Sequence, residues 1–137
     1  MIVEQPELLN DVTFVQNNYN AVTQVIYSQP SYAQYVSNAN ALTASGGVYY
    51  GPNGKETYYN LNMSGVVDIM RGMGNNDNYW VREDGAKMLG DYVIVAADLN
   101  KYPRGSIVDT SLGQGIVCDT GSFTQNSDTQ LDIATDW

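Results

Sequence analysis

The sequence predicts a mainly β domain, a small barrel or sandwich, preceded by a helical segment at the N-terminus. Three observations support this fold class. From Trp80 onward, short apolar runs are separated by glycine-containing turns, at the spacing of roughly 8 to 12 residues that is typical of small all-β domains. In the middle of the chain, two aromatic runs flank a Pro-Asn-Gly turn. Near the N-terminus, apolar residues recur instead at intervals of three and four, the period of an amphipathic helix.

Residues 1–45 are expected to form a helical extension or linker. One helix is predicted over residues 11–27, with Asn10 or Asp11 as its N-cap and Pro30 after its end. A second, weaker helix is predicted over residues 31–42. The segment carries few charges and many Asn, Gln and Tyr residues. It therefore either attaches the domain to a partner or a further domain, or packs as a helical pair on its own domain.

Residues 46–137 are expected to form the β domain. It begins with a hairpin that pairs residues 48–50 with residues 56–60 across a turn at residues 51–54. Aromatic runs on both sides of a Pro-Asn-Gly turn are a strong signal for such a hairpin.

A short helix is predicted after the hairpin. Ser64 is its expected N-cap, and the helix stops near Gly72 or Gly74. Residues 75–79 are expected to form a loop. The later strands are predicted at residues 92–97, 106–108, 116–118 and 130–134, with turns at residues 103–105 and 113–115.

Three aspartates lie at the ends or in the middle of these later strands, and they are the most functional-looking feature of the sequence. Asp98 and Asp119 each follow an apolar run, whereas Asp132 lies between Leu131 and Ile133. A carboxylate beside buried apolar surface is costly unless it is paired or protonated, so these positions indicate a site. Because side chains alternate along a strand, Asp132 faces away from its apolar neighbours and can face a groove. Asp is also common in turns and at strand ends, which is the alternative structural interpretation.

The composition limits the chemistry. The chain has no histidine, which excludes Ser-His, Cys-His and His-ligated metal schemes and leaves acid/base work to Asp, Glu, Tyr or Lys. The single cysteine, Cys118, is expected to be a small buried hydrophobic residue. Fifteen acidic and six basic residues give a formal net charge of −9, which argues against nucleic acid and against an anionic membrane surface. A neutral polymer such as a glycan fits this charge better.

The sequence shows neither a membrane span nor an export signal. No stretch reaches the roughly 18 apolar residues that a span needs, and the N-terminus lacks a basic region followed by an apolar one. A low fraction of charged residues and abundant Tyr, Asn, Ser, Thr and Gly are instead typical of an extracellular or cell-wall-associated protein. The chain is then either a segment of a longer secreted or phage-tail protein, or reaches its destination without such a signal.

Four motifs in the last part of the chain occur in a recognisable order. They are an apolar strand that ends in Asp98, a Pro-x-Gly turn at residues 103–105, the Asp119-Thr120-Gly121 triplet, and Asp132 inside an apolar strand. In this order they resemble the 3D (three-aspartate) domain, which is shared by MltA-type lytic transglycosylases and the stationary-phase muralytic proteins of spore-forming bacteria. The resemblance covers residues 47–137, and Thr57-Tyr58-Tyr59 resembles the family's early Thr-x-Tyr strand.

The resemblance implies a double-psi β-barrel that acts as a peptidoglycan lytic transglycosylase. Such an enzyme cleaves the glycan between N-acetylmuramic acid and N-acetylglucosamine and leaves a 1,6-anhydro end. The family's third aspartate is the catalytic acid/base and matches Asp132, whereas the first and second match Asp98 and Asp119 and support the site. The loop between Asp119 and Asp132 is longer than in the family.

Substrate contacts are expected from residues around the aspartates, namely Thr57, Tyr59, Thr120 and Gly121. A tight turn after Asp119 can direct a hydroxyl or a backbone N–H toward the substrate. The aromatic residues Tyr58, Tyr59 and Trp80 are candidates for stacking on sugar rings, although core packing is the commoner role of such side chains.

The implied chemistry needs one carboxyl group that is protonated near neutral pH. It donates its proton to the glycosidic oxygen and then, as a carboxylate, takes the proton of the muramic acid C6 hydroxyl. Burial beside apolar strand residues and repulsion from Asp98 and Asp119 are expected to raise the pKa of Asp132. Proton transfer alone requires neither a metal nor an organic cofactor.

Two other functions stay open at this point. The domain is alternatively a non-catalytic glycan-binding or interaction module, for example in a phage tail or a conjugation complex. In that case the variant Asp132→Asn changes little, whereas an enzyme loses turnover. A hydrolase with two catalytic carboxylates is a third possibility, and it leaves a reducing sugar instead of an anhydro end.

Overall fold

Eight short strands and two helices make up residues 40–137, the part of the chain that the computed structural model describes. In chain order these elements are β1 (Tyr49–Gly51), β2 (Gly54–Tyr59), α1 (Ser64–Gly72), β3 (Tyr79–Val81), β4 (Lys87–Leu89), β5 (Tyr92–Ala96), β6 (Ile107–Thr110), β7 (Gly113–Asp119), α2 (Phe123–Asn126) and β8 (Leu131–Ala134). The prediction of a mainly β domain is confirmed for this part of the chain.

The strands form one mixed sheet with β5 near its centre. Strand β7 runs parallel to β5, whereas β4 and β8 pair antiparallel with its first and second halves. Strand β2 is parallel to β8, β1 is antiparallel to β2, β3 to β4, and β6 to β7. Within the described residues, β1 and β3 end this order without pairing to each other, so the backbone pairings leave the sheet open.

Apolar side chains cover both faces of the central strands. In β5, Val93 and Val95 belong to one buried cluster together with Leu131 and Ile133 of β8. Ile94 belongs to a second cluster, which includes residues of α1 and β7. Burial on both faces explains why β5 is a continuous apolar run instead of an alternating one, as is usual for strands covered on both sides.

The predicted hairpin is confirmed. Tyr49 pairs with Glu56, and Gly51 pairs with Gly54 across the Pro52-Asn53 turn. Gly54 has a φ of 101°, a left-handed conformation that strongly favours glycine.

The short helix after the hairpin is confirmed as well, but its cap is not the one expected. Ser64 is the first helical residue and does not cap the helix. The side chain of Asn62 instead accepts the Ser64 N–H at 3.0 Å and the Ser64 hydroxyl at 2.7 Å. Met70 is buried against the sheet, and the helix ends at Gly72, as predicted.

The predicted turn at residues 113–115 is wrong. Gly113 and Gly115 both lie in β7, and the reversal occurs one step earlier, at Ser111-Leu112. Gly113 has a φ of 113° directly after this two-residue turn. At Gly115, a Cβ atom would lie 3.0 Å from Val95 Cγ1 and 3.1 Å from the Val93 carbonyl. Here glycine therefore allows close strand approach, a role that sequence alone does not distinguish from a turn.

The expected helix over residues 11–27 lies outside the described residues, as does most of the second one. Only residues 40–42 of the second helix are described, and they form a turn and a bend. Ala41 and Leu42 are buried in the same core cluster as Val93 and Val95 of β5, and the Leu42 N–H donates to Ser111 Oγ at 2.9 Å. Within residues 40–137, no helix combines the length and apolar character that a membrane crossing requires.

Candidate functional site

Asp132 lies in β8 and faces the side opposite to its apolar neighbours. Leu131 and Ile133 are fully buried in one core cluster, whereas Asp132 is half-buried. Thr57 is its register partner in the parallel strand β2, and the Thr57 hydroxyl donates to Asp132 Oδ1 at 2.8 Å. The strand alternation predicted for Asp132 therefore holds, and the neighbouring strand fixes one oxygen of its carboxyl group.

Asp119 ends β7 and has its own hydroxyl partner from β2. The Tyr59 hydroxyl donates to Asp119 Oδ2 at 2.8 Å, and the Thr120 N–H donates to Asp119 Oδ1 at 2.9 Å. Thr57 and Tyr59 are two residues apart on β2 and therefore share one face of that strand. One strand thus supplies the hydroxyl donors of both carboxyl groups.

A β-bulge brings the two aspartates to the same part of the sheet. Val95 pairs with Val117, but the next residue of β5, Ala96, pairs with Asp119 instead of Cys118. On its other edge Ala96 pairs with Asp132. Asp119 and Asp132 therefore flank the small Ala96, two strand spacings or about 10 Å apart between Cα atoms. Redirecting a side chain in this way is a recurring use of bulges near functional sites.

The surroundings of Asp132 favour its protonated form. Burial raises the pKa of the Asp132 carboxyl above its usual value, the Thr57 hydrogen bond opposes this rise, and the negative charge of Asp119 adds to it. Burial also raises the pKa of the Tyr59 hydroxyl, and Asp119 and then Asp132 reinforce this effect. Tyr59 is therefore a neutral hydrogen-bond donor to Asp119. The arrangement combines a carboxyl group biased toward its acid form with a second carboxylate.

Asp98 does not share these contacts. It follows β5 by two residues, and its Oδ1 accepts the Asn100 N–H at 2.9 Å. Its carbonyl oxygen accepts the N–H groups of Lys101 and Tyr102 at 3.0 and 2.8 Å. Within the described residues, the hydrogen bonds of Asp98 are those of a turn residue. A direct role of Asp98 beside the other two aspartates stays a prediction.

The structure places the other residues that were expected to contact the substrate at different distances from the two aspartates. Thr120 is exposed next to Asp119, and the Gly121 carbonyl accepts the Thr124 hydroxyl at 3.0 Å at the start of α2. Tyr58 is the register partner of Ile133, so it faces the core instead of Asp132, and it packs edge-on against Trp137 at 4.9 Å. Trp80 is 40% exposed on β3. Substrate contacts by Thr120, Gly121 and Trp80 stay predictions.

Cys118 is buried beside the site, as expected, and is not a nucleophile at neutral pH. Burial raises the pKa of its thiol to about 12, with the Asp119 charge raising it and Arg104 opposing this effect. Since the thiolate is the reactive form, the thiol stays protonated.

Arg104 is the site residue that the sequence analysis did not assign. It lies in the turn at residues 103–105, and its Nε donates to the Cys118 carbonyl at 3.0 Å, directly before Asp119. Arg104 is the only basic residue within the four motifs. That isolation was a signal available from the sequence.

Neither a metal-ligating cluster nor a similarity to a known protein identifies the function of the site. Among residues 40–137, no three His, Cys, Asp or Glu side chains are grouped to hold a metal ion. The chain matches no family model, no curated protein sequence and no solved structure.

Proposed function

We propose that the protein is a peptidoglycan lytic transglycosylase of the 3D-domain type, with Asp132 as its single acid/base. The observation that carries this proposal is the Asp132 carboxyl group, which is half-buried, held through one oxygen by Thr57, and raised in pKa. A raised pKa keeps a carboxyl group protonated nearer to neutral pH, as a catalytic acid requires.

In the proposed reaction, Asp132 acts first as an acid and then as a base. Its proton passes to the glycosidic oxygen as the bond to C1 of the muramic acid breaks and the leaving sugar takes the bonding electrons. The resulting carboxylate accepts the proton of the C6 hydroxyl, whose oxygen bonds to C1. Asp132 is thereby protonated again, and no water is consumed. Positioned proton transfer of this kind contributes roughly 10²- to 10⁴-fold to a rate.

The remaining site residues have supporting roles in this proposal. Asp119, held by Tyr59, presents a negative charge that raises the pKa of Asp132 and stabilises the positive charge that develops on the sugar ring. The Thr120 hydroxyl and the Gly121 backbone contact the sugar. Asp98 shapes the turn that leads from β5 toward Arg104. None of these steps requires a metal or cofactor.

We further propose that the sheet closes into a double-psi β-barrel. Two parallel strand pairs, β2 with β8 and β5 with β7, support this topology because each requires a crossover connection. Side chains also join the two hairpins beyond the backbone pairing. Asn53 Nδ2 donates to the Asp109 carbonyl at 2.9 Å, and Glu56 accepts two hydrogen bonds from Ser111.

Incubation with purified peptidoglycan, followed by mass spectrometry of the soluble products, tests the proposed function. Anhydro-muropeptides, produced equally with and without a chelator, are the expected result. Reducing ends instead of anhydro ends would identify a two-carboxylate hydrolase. Binding to the polymer without any product would identify a glycan-binding module. Loss of activity in the presence of a chelator, restored by adding a divalent ion, would contradict the cofactor-free mechanism. Activity on intact sacculi is expected from a protein that works at the cell wall.

A further inference from the structure

Arg104 differs from the other cationic residues because its terminal nitrogens donate no hydrogen bond within the described residues. All six Lys and Arg residues of the chain lie within residues 40–137. The terminal nitrogen of each of the other five donates to a protein acceptor: Lys55 to Asp128, Arg71 to Asn75, Arg82 to Asp84, Lys87 to Asn60 and Lys101 to Gln130. Arg104 donates only through Nε, to the Cys118 carbonyl. Within the described residues, its two Nη groups have no acceptor at hydrogen-bond distance.

The backbone around Arg104 is held firmly against β7. The Gly105 N–H donates to the Val117 carbonyl at 2.7 Å, and the Val117 N–H donates to the Ser106 carbonyl at 2.9 Å. With the Nε bond, these contacts hold the half-buried Arg104 beside the bulge that redirects Asp119. A cation held in one place loses little conformational freedom when it binds a ligand, unlike an exposed lysine on a flexible stem.

The charge of the surroundings indicates which ligand this cation serves. The chain has a net charge of −9, and Asp119 and Asp132 lie in the same part of the sheet, so an anionic ligand would be repelled here. A neutral glycan needs no cation to offset that repulsion. A fixed guanidinium with free Nη groups instead matches a carboxylate, which arginine binds through two parallel hydrogen bonds.

We propose that Arg104 is the anion-binding residue of the site and that it binds a carboxylate carried by the muramic acid side of the glycan. This inference rests on the proposed function and deepens it, because it restricts the substrate to carboxylate-bearing strands and excludes uncharged N-acetylglucosamine polymers. The carboxylate belongs either to the stem peptide or, on strands without peptide, to the lactyl group of muramic acid.

Binding of two matched strands tests this proposal. Soluble peptidoglycan strands are compared with the same strands after conversion of their carboxyl groups into amides, by calorimetry in an Asp132→Asn background that prevents turnover. The native strands are expected to bind roughly tenfold tighter or more, the usual range for a charge-assisted bidentate contact. Arg104→Gln brings this affinity ratio close to one, and Arg104→Lys restores part of it. Lys101→Gln, which removes the same charge from an exposed neighbour in the same loop, keeps the wild-type ratio.

Strands stripped of their stem peptides identify the source of the carboxylate. Stripping frees the lactyl carboxylate, which is part of an amide bond in the peptide-bearing strands. Arg104-dependent tight binding of stripped strands shows that Arg104 accepts the lactyl carboxylate there, and loss of that dependence assigns the carboxylate to the peptide. A wild-type ratio near one, or a ratio that Arg104→Gln leaves unchanged, would overturn the proposal. Anhydro products from the protein with Asp132 intact are scored separately. If the anhydro products are absent while Arg104-dependent binding persists, the proposed catalytic function is wrong but the role of Arg104 stands. If neither strand binds or reacts, both proposals are wrong.

Discussion

Glu56 on β2 and Asp132 on β8 both accept a hydrogen bond from a side-chain hydroxyl, but the protein occupies different numbers of their carboxyl oxygens. Glu56 is 0% exposed, and both of its oxygens accept hydrogen bonds from Ser111, at 2.6 Å from the hydroxyl and 2.9 Å from the N–H. The Asp132 side chain is half-buried and, within the described residues, accepts one hydrogen bond, from the Thr57 hydroxyl. Burial raises the pKa of both carboxyl groups. A raised pKa therefore does not by itself mark a catalytic group.

What separates the two positions is the second oxygen and the neighbouring charge. Glu56 joins the β1–β2 hairpin to the β6–β7 turn and has no oxygen left for a ligand. Asp132 keeps an oxygen available, and Asp119 contributes a charge beside it. We interpret Glu56 as a structural carboxyl group that connects two hairpins, and Asp132 as the reactive one.

The largest effect is expected from Asp132→Asn. Asn keeps the size of the side chain and can accept the Thr57 hydrogen bond but cannot transfer a proton. Release of anhydro-muropeptides should therefore fall by roughly 10²- to 10⁴-fold, as quantified by chromatography. The unfolding midpoint should stay close to that of the wild type. Asp109→Asn, on an exposed side chain of β6, is the matched control and should keep full activity. Retention of most activity by Asp132→Asn would remove its assigned role.

Glu56→Ala should have the next largest effect, on stability instead of chemistry. Two donors of the half-buried Ser111 lose their acceptor, which costs about 2–4 kcal/mol of unfolding free energy. Urea denaturation followed by fluorescence measures this loss. Activity per folded molecule should stay unchanged. Asp128→Asn, at an exposed carboxylate paired with Lys55, should leave the midpoint near the wild-type value. A stable Glu56→Ala variant with low activity would reverse our interpretation of the two carboxyl groups.

Opposite shifts of the pH profile are expected from two neighbours of Asp132. Activity should fall as the pH rises through the pKa of Asp132, because the acid form is consumed. The Thr57 hydrogen bond lowers this pKa and the Asp119 charge raises it. Thr57→Val should therefore move the high-pH limb of kcat/KM upward, and Asp119→Asn should move it downward while also slowing the reaction severely. Limbs that move in the same direction, or do not move, would contradict the assignment of that limb to Asp132.

The smallest expected effect is a pH dependence of stability at Glu56. Its pKa is raised in the folded state, mainly by burial, so the folded protein binds more protons than the unfolded chain. The stability linked to the protonated form is present below the ordinary glutamate pKa and is lost as the pH rises through the folded value. The stability of the wild type relative to Glu56→Gln should thus be greatest in acid and decline toward neutral pH. Urea titrations at several pH values measure the difference, which should not grow with pH.

The sequence predicted those parts of the fold that depend on local signals. The Pro52-Asn53 turn, the short helix before Gly72 and the apolar run of β5 have clear patterns, and the structure confirms them. The turn predicted at Gly113 and Gly115 is wrong because glycine occurs equally well in turns and where two strands approach closely. Only the tertiary pairing of β7 with β5 separates the two.

The same contrast holds for the site. Alternation along β8 was enough to direct Asp132 away from the core. The bulge opposite Ala96, the hydroxyl donors from β2 and the Arg104 contact to Cys118 depend on register between strands that are distant in sequence. No local pattern encodes such a register. The structural role of Glu56 is not predictable for the same reason, because no residue near it in the sequence indicates its contact with Ser111.

The central claim, that one carboxyl group catalyses cleavage without water, is tested most directly by digestion of peptidoglycan in water enriched in oxygen-18. Intramolecular attack by the C6 hydroxyl takes no oxygen from the solvent. The proposed mechanism therefore predicts 1,6-anhydro-muropeptides of unlabelled mass, with a yield that falls by roughly 10²- to 10⁴-fold in Asp132→Asn. Products with a reducing end that has gained one oxygen-18 atom would show that water is the nucleophile, and would contradict the single-carboxyl mechanism.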